Sequence, residues 1–272
     1  MSLEQLEQEC VVAINLLTKG SSAEAVGAFT EILRKNDKLA LAWNNRGLGL
    51  LNLGHPFDAT LNIDRAIALE PHVGSYHNNR GATLFDQEDA DGALASFNKA
   101  VELQTGFHEA LMNRGNVLKF KGLIQESIDS YRASITANPG YADGHLHLAF
   151  ATLMAGLYEE GWKEFEWCWK CGQMPERGLP YPAWEGESLE GKTLLIYGEQ
   201  GHGDSLQFIR YAKEVKAKFG GKILIEVRQP LTRLARTVEG IDEIVTYGEK
   251  MPEGIDYQVA VMSLPRIMGT TV

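Results

Sequence analysis

The chain has 272 residues, of which 44% are apolar and 23% charged, and it carries a formal net charge of −10. That length and composition predict about two domains with buried cores. They exclude a membrane span and a signal peptide, which need longer apolar runs, and a disulfide framework, for which three cysteines are too few. They also exclude a polyanion ligand, which an acidic chain binds poorly, so the expectation is a cytoplasmic protein that engages neither membrane nor nucleic acid.

The charge is uneven. Residues 191–272 hold 11 basic and 10 acidic side chains, whereas residues 1–190 hold 15 basic and 26 acidic, a net of −11. Two such balances in one chain predict two structural units.

A 34-residue period organises the first of them. Trp-Asn-Asn-Arg-Gly (43–47), His-Asn-Asn-Arg-Gly (77–81) and Leu-Met-Asn-Arg-Gly (111–115) recur at that spacing. Other landmarks recur with them: Ala59, Ala93 and Ser127; Ile63, Phe97 and Tyr131; Ala66, Ala100 and Ser134. Pro71 and Pro139 close their units, and Gly54 and Gly122 mark an internal turn where the middle unit has Glu88. Ahead of these, Ser21 and Glu24 have the spacing of a capping box opening a helix, with Ala25 and Phe29 at the repeat positions. Behind them, a unit over about 142–171 keeps Gly156 and Phe165 and runs into Trp167 and Trp169.

This pattern resembles the tetratricopeptide repeat (TPR), in which each unit is a helix A–turn–helix B pair. The resemblance implies an α-helical solenoid of about five units over 1–171, with the A helices lining a concave groove. Asn45, Asn79 and Asn113 share one place in the repeat and would form a ladder along it, while Val11 and His147 take that place in the outer units. An Asn amide both donates and accepts, so the ladder can hold the backbone of an extended peptide. The TPR region of O-linked N-acetylglucosamine transferases uses such a ladder, which implies a peptide or protein partner. The alternative is an Asn that contacts only water. Arg46, Arg80 and Arg114 form a second row, read as stems packed between helices with guanidiniums on neighbouring acceptors rather than as a basic track.

Glu-Trp-Cys-Trp-Lys-Cys (166–171) does not meet the needs of redox or zinc chemistry. Cys168 falls late in the last repeat helix, where the helix dipole disfavours a thiolate, and the remaining cysteine, Cys10, is distant. No metal site is predicted. Residues 172–190, with Pro175, Pro180 and Pro182, have linker composition, and Trp184 anchors the segment to a folded unit.

From residue 191 the period changes. Strands are predicted at 193–197, 222–227, 243–246 and 257–261, with helices over about 205–218 and 230–238, which predicts a parallel α/β sheet of Rossmann type. The turn Gly198-Glu199-Gln200-Gly201-His202-Gly203-Asp204 follows the first strand, where such sheets bind ligands. It fits neither the phosphate-binding loop, which needs Lys where Asp204 stands, nor the order Gly-x-Gly-x-x-Gly.

The stretch Gly-Glu-Gln-Gly-x-Gly-Asp-x-x-Gln-Phe-x-Arg-Tyr (198–211) resembles bacterial proteins in which TPR units precede a glycosyltransferase-like domain of the two-lobed, GT-B type. So do Phe-Glu-Trp-x-Trp-Lys (165–170), Gly-Lys-Thr-Leu-Leu (191–195), Ser-Leu-Pro (263–265) and Gly-Thr-Thr (269–271). That domain is similar to heptosyltransferases, whose Gly-Asp pair supplies a base. The resemblance implies Asp204 as the base, with Gly198, Glu199, Gln200, Gly201, His202, Gly203 and Gln207 around the ligand. Cys168 and His202 depart from the pattern. A purely structural reading makes Asp204 and Gln207 a capping box at the helix start.

After Lys192 only about 80 residues remain, too few for two lobes of ordinary domain size. The expectation is therefore a partial Rossmann-like domain over 191–272, the acceptor-side lobe, not catalytically competent as this isolated chain. It holds no cofactor of its own; a nucleotide-diphosphate sugar would serve as donor only with a second lobe. The alternative is a pure protein-interaction scaffold whose α/β segment is a vestigial cap.

Overall fold

A computed structural model describes residues 3–172, 177–198 and 201–271. The chain forms two compact units, Met1–His147 and Leu148–Val272.

The first unit consists of helices in antiparallel pairs. They are α1 (Leu3–Thr18) and α2 (Ser22–Lys35), α3 (Ala40–Asn52) and α4 (Pro56–Leu69), α5 (Gly74–Asp86) and α6 (Ala90–Leu103), and α7 (His108–Phe120) and α8 (Ile124–Ala137). The unit ends inside α9 (Ala142–Met154). The small and large residues of the 34-residue pattern explain the pairing. A Cβ on Gly47 would stand 2.8 Å from Ile63, one on Gly81 2.7 Å from Phe97, and one on Gly115 2.5 Å from Tyr131. Each A helix thus gives up a side chain so that a fully buried one from its own B helix fits against its backbone. Ala25, Ala59 and Ala93 are fully buried as well.

Turn chemistry is equally regular. Gly20, Gly54 and Gly122 adopt φ of 81°, 80° and 76° between helices A and B. Glu88 takes the same left-handed turn at φ 64°, a conformation that costs a side-chain-bearing residue about 1–2 kcal/mol. Asp89 follows it and caps α6 by accepting a hydrogen bond from the Gly92 amide at 2.9 Å. The capping box expected at Ser21 does not form. Ser21 does occupy the N-cap of α2, but at ψ 55° rather than extended, and its hydroxyl makes no capping bond. Pro71 and Pro139 stand two residues past the ends of α4 and α8, where a helix cannot continue.

The second unit runs from the end of α9 through α10 (Tyr158–Phe165) and a 3-10 turn at Glu166–Trp169 to a small parallel sheet. Its further elements are β1 (Thr193–Tyr197), α11 (His202–Phe208), α12 (Tyr211–Phe219), β2 (Lys222–Val227), α13 (Thr232–Ala235), β3 (Glu243–Thr246), β4 (Tyr257–Ala260) and α14 (Leu264–Met268). Strand order is β3-β2-β1-β4, with Ile196 opposite Ile225 and Val259. All pairs are parallel, and the two central strands, β1 and most of β2, read as apolar runs because both of their faces are covered. One face packs Leu194, Ile196, Ile223 and Ile225 with Phe208, Tyr211 and Val215. Trp162 of α10 meets Phe208 of this core edge-on, with ring centroids 5.6 Å apart.

Trp184 is buried in this core, its indole edge-on to Phe219 and its Nε1 donating to the Glu187 carbonyl at 2.9 Å. Its backbone N–H donates to the Gln258 carbonyl, and Ala183 bridges Gln258 in parallel, so residues 182–184 lie along the outer edge of β4. The single helix expected over 205–218 is instead two, α11 and α12. Gly201 is the N-cap of α11, with extended φ −94° and ψ 151°, so Asp204 sits at the third helical position and does not cap. Cys168 lies in the 3-10 turn rather than in a repeat helix; it is buried, and Cys171 Sγ donates to its carbonyl at 3.2 Å.

Candidate functional site

The three ladder asparagines are not equivalent. Asn45 is only 9% exposed, and its amide donates to the Leu41 carbonyl on its own helix at 2.8 Å. Asn79 and Asn113 are half-buried and donate across the seams between A helices. Asn79 Nδ2 reaches Asn44 Oδ1 at 2.9 Å, and Asn113 Nδ2 reaches Asn78 Oδ1 at 3.1 Å. The acceptors come from the first Asn of each Asn-Asn dipeptide, a recurrence at 44 and 78 that the ladder reading passed over. These bonds hold each amide plane in one orientation. Among the described residues nothing else bonds the Oδ1 or the second N–H of Asn79 or Asn113, so both remain open to another partner.

At the outer places Val11 is exposed, and His147 stacks on Tyr131 with ring centroids 5.7 Å apart. The Tyr131 hydroxyl donates to Asn116 Oδ1 at 2.7 Å, and burial pushes its pKa up to about 12. Burial, then the nearby Lys119 ammonium, push the His147 pKa below its ordinary value, and its Nδ1 is buried with no partner among the described residues.

The arginine row is structural in its contacts. Each guanidinium reaches the side chain 16 residues on, in its own B helix: Arg46 Nε to Asn62 at 2.7 Å, Arg80 Nη1 to Ser96 at 2.9 Å, and Arg114 Nε to Ser130 at 2.9 Å. Arg80 also pairs with Asp64 at 2.6 Å, and Arg46 lies over the Trp43 ring. Burial lowers the pKa of Arg46 and Arg114.

In the second unit, Glu199 and Gln200 of the glycine-rich turn lie outside the described residues. Gly198 follows β1 where the strand order reverses, and its N–H donates to the Glu226 carbonyl at 3.4 Å. A Cβ on Gly198 would stand 2.7 Å from Ser205 Oγ, so glycine permits this close turn. His202, Gly203 and Gln207 are exposed and Asp204 is half-buried.

The sequence reading missed a buried ion pair beside this turn. Glu226 of β2 is 2% exposed and is held by both guanidinium nitrogens of Arg177, with Nη2 to Oε1 at 3.0 Å. The same guanidinium lies over the rings of Tyr197 and Tyr247, 5.5 and 5.0 Å from their centroids. A cavity of about 370 Å³ adjoins it, lined by Trp169, Arg177, Tyr197, Glu185 and Arg266. Arg266 pairs with Glu166 and Glu185 at 3.2 and 2.7 Å, so each guanidinium at the cavity already has a carboxylate. The one sequence signal was an acidic residue near the end of the otherwise apolar Lys-Ile-Leu-Ile-Glu-Val. No group of three or more His, Cys, Asp or Glu able to hold a metal occurs among the described residues, and no helix there is long and apolar enough to cross a membrane.

Residues 45–106 and 108–141 match tetratricopeptide repeat family models, so this segment is a TPR array. The chain is 26% identical over 183 residues to Protein FlbA of Caulobacter vibrioides, covering 65% of this chain and 30% of that protein. It is 36% identical over 80 residues to the Lipoprotein NlpI homolog of Haemophilus influenzae, covering 29% of this chain and 26% of that one. The chain therefore spans less than a third of the length of either relative. Among solved structures, Pseudomonas aeruginosa pilF superposes with a TM-score of 0.62 at 16% identity, covering 86% of this chain and 93% of that one. A crystal structure of MamA gives 0.52 at 20% identity, covering 60% of this chain and 95% of that one. At these identities the likeness is one of fold.

Proposed function

We propose that the chain is a protein-interaction scaffold whose A-helix face binds an extended peptide or protein segment. The observation that carries this reading is the orientation of Asn79 and Asn113. Each spends one N–H on the preceding unit and presents a fixed donor and acceptor from the same amide, which matches the N–H and C=O of a peptide backbone. Asn45, buried and bonded to its own helix, takes no part in that contact. The test is selection of phage-displayed random dodecapeptides on the full chain. Selected peptides should lose about tenfold in affinity, or more, when Asn79→Ala and Asn113→Ala are combined. Failure to select any peptide, or binding indifferent to both substitutions, would overturn the reading.

A second reading gives the α/β unit a part in sugar transfer, as the acceptor-side lobe of a glycosyltransferase-like, Rossmann-type domain. The observation favouring it is a parallel sheet whose order reverses at the strand preceding the glycine-rich turn. In that reading Asp204 is the base, and Gly198, Gly201, His202, Gly203 and Gln207 border the acceptor, while a nucleotide-diphosphate sugar comes from a second lobe. In a longer protein that joins this unit to a donor-binding lobe, Asp204→Asn should then abolish sugar transfer measured with a panel of nucleotide sugars, and unchanged transfer removes Asp204 from the mechanism.

A further inference from the structure

The seam between α5 and α7 carries a second contact in the register of its asparagine pair. Asn113 donates to Asn78, 35 residues earlier; Phe120 stands edge-on to Phe85, again 35 residues earlier, with ring centroids 5.5 Å apart at 86°. Along each helix the two contacts are seven residues apart, about two turns or ~10.5 Å, so they share one stripe of the face. Phe120 is nevertheless 66% exposed, an aromatic ring supported from one side only.

Lys119 precedes it. This side chain is half-buried, and its ammonium forms no ion pair among the described residues. It lies close enough to His147, at the ladder place of the next A helix, to oppose that ring's protonation. It stands in the last turn of α7 directly before Phe120, within reach of a group bound against that ring. Glu109, the acidic residue of α7, lies at the other end of the helix against His108.

We infer that this stripe sets the specificity of the groove for an extended segment carrying a large apolar side chain, aromatic by preference, beside a carboxylate. The inference rests on the peptide-binding reading above. The segment's backbone amide pairs with Asn113. At ~3.3 Å per extended residue, the side chain about three residues on reaches Phe120. The carboxylate completes Lys119. Residues 1–147 hold 12 basic and 18 acidic side chains, so a run of acidic residues is repelled and one carboxylate beside Lys119 is admitted. That carboxylate can belong to an Asp or Glu side chain or to a chain terminus.

The experiment uses the same dodecapeptide selection on the full chain. Selected sequences should share an aromatic or large aliphatic residue next to Asp, Glu or the free C-terminus, and Lys and Arg should be depleted there. For one synthetic selected peptide, Phe120→Ala should weaken binding about tenfold, and Lys119→Gln several-fold with a loss that shrinks at high salt. Amidating the peptide terminus, or replacing its Glu by Gln, identifies the source of the carboxylate. Asn-dependent binding without aromatic enrichment, or unmoved by Phe120→Ala, overturns this inference and leaves the groove standing. Binding independent of Asn79 and Asn113 overturns both. Phe120 is exposed, so its replacement tests recognition rather than folding.

Discussion

Gly115 faces the ring of Tyr131 so closely that a Cβ there would stand 2.5 Å from the ring edge. Tyr131 is fully buried and cannot retreat. Gly115→Ala gains helix propensity of about 1 kcal/mol but overpacks a fixed ring at about 1–3 kcal/mol. The net expectation is a loss of about 1 kcal/mol, read as a lower urea midpoint with an unchanged slope. Adding Tyr131→Phe should not rescue it, because the clash is with the ring and not the hydroxyl.

Glu88 is the one residue other than glycine with positive φ among the described residues. Its counterparts Gly54 and Gly122 take the same turn without a Cβ. Glu88→Gly should therefore raise stability by about 1 kcal/mol, and Glu88→Val should lower it by more. Paired urea titrations decide both signs.

His147 gives the first unit a pH dependence. Its folded pKa lies below its unfolded value, because burial and Lys119 oppose the charged ring more than Asp143 favours it. The unfolded chain thus binds the proton more readily. Stability is complete above the unfolded value of about 6.5 and declines as pH falls from there to the depressed folded value. His147→Gln should flatten the thermal midpoint across pH 7 to 5, and an equal decline in wild type and variant would assign the effect elsewhere.

Arg177 and Glu226 lie 49 residues apart in sequence and form a buried pair. Arg177→Ala strands a carboxylate that is 2% exposed, at a cost on the order of 3 kcal/mol. Combining it with Glu226→Gln should recover most of that loss. Thermal denaturation of the two variants tests this, and additive losses would show that the charge is not what couples them.

Much of the architecture could be read from residue patterns, for local reasons. Thr193–Tyr197, Lys222–Val227 and Glu243–Thr246 are short apolar runs bounded by polar or glycine residues, and they form strands at the expected positions. The Gly47–Ile63, Gly81–Phe97 and Gly115–Tyr131 contacts follow from a period that repeats small against large. What escaped depends on where a side chain turns. The Asn dipeptides showed that an amide would be present, but whether it bonds back to its own helix, as Asn45 does, or across to the next, as Asn79 does, is decided by packing between units. The break between α11 and α12 and the partner of Glu226 were hidden for the same reason, since nothing within a turn of either residue specifies it.

The seam bonds also give the array a polarity. Asn113 is oriented by Asn78 and Asn79 by Asn44, so each recognition amide takes its setting from the unit before it. Loss of Asn44 therefore releases Asn79, and loss of Asn78 releases Asn113, each in the unit that follows. The groove works through two separate couplings, each running from one unit to the next, and the earliest of these asparagines, Asn44, is itself buried away from any ligand.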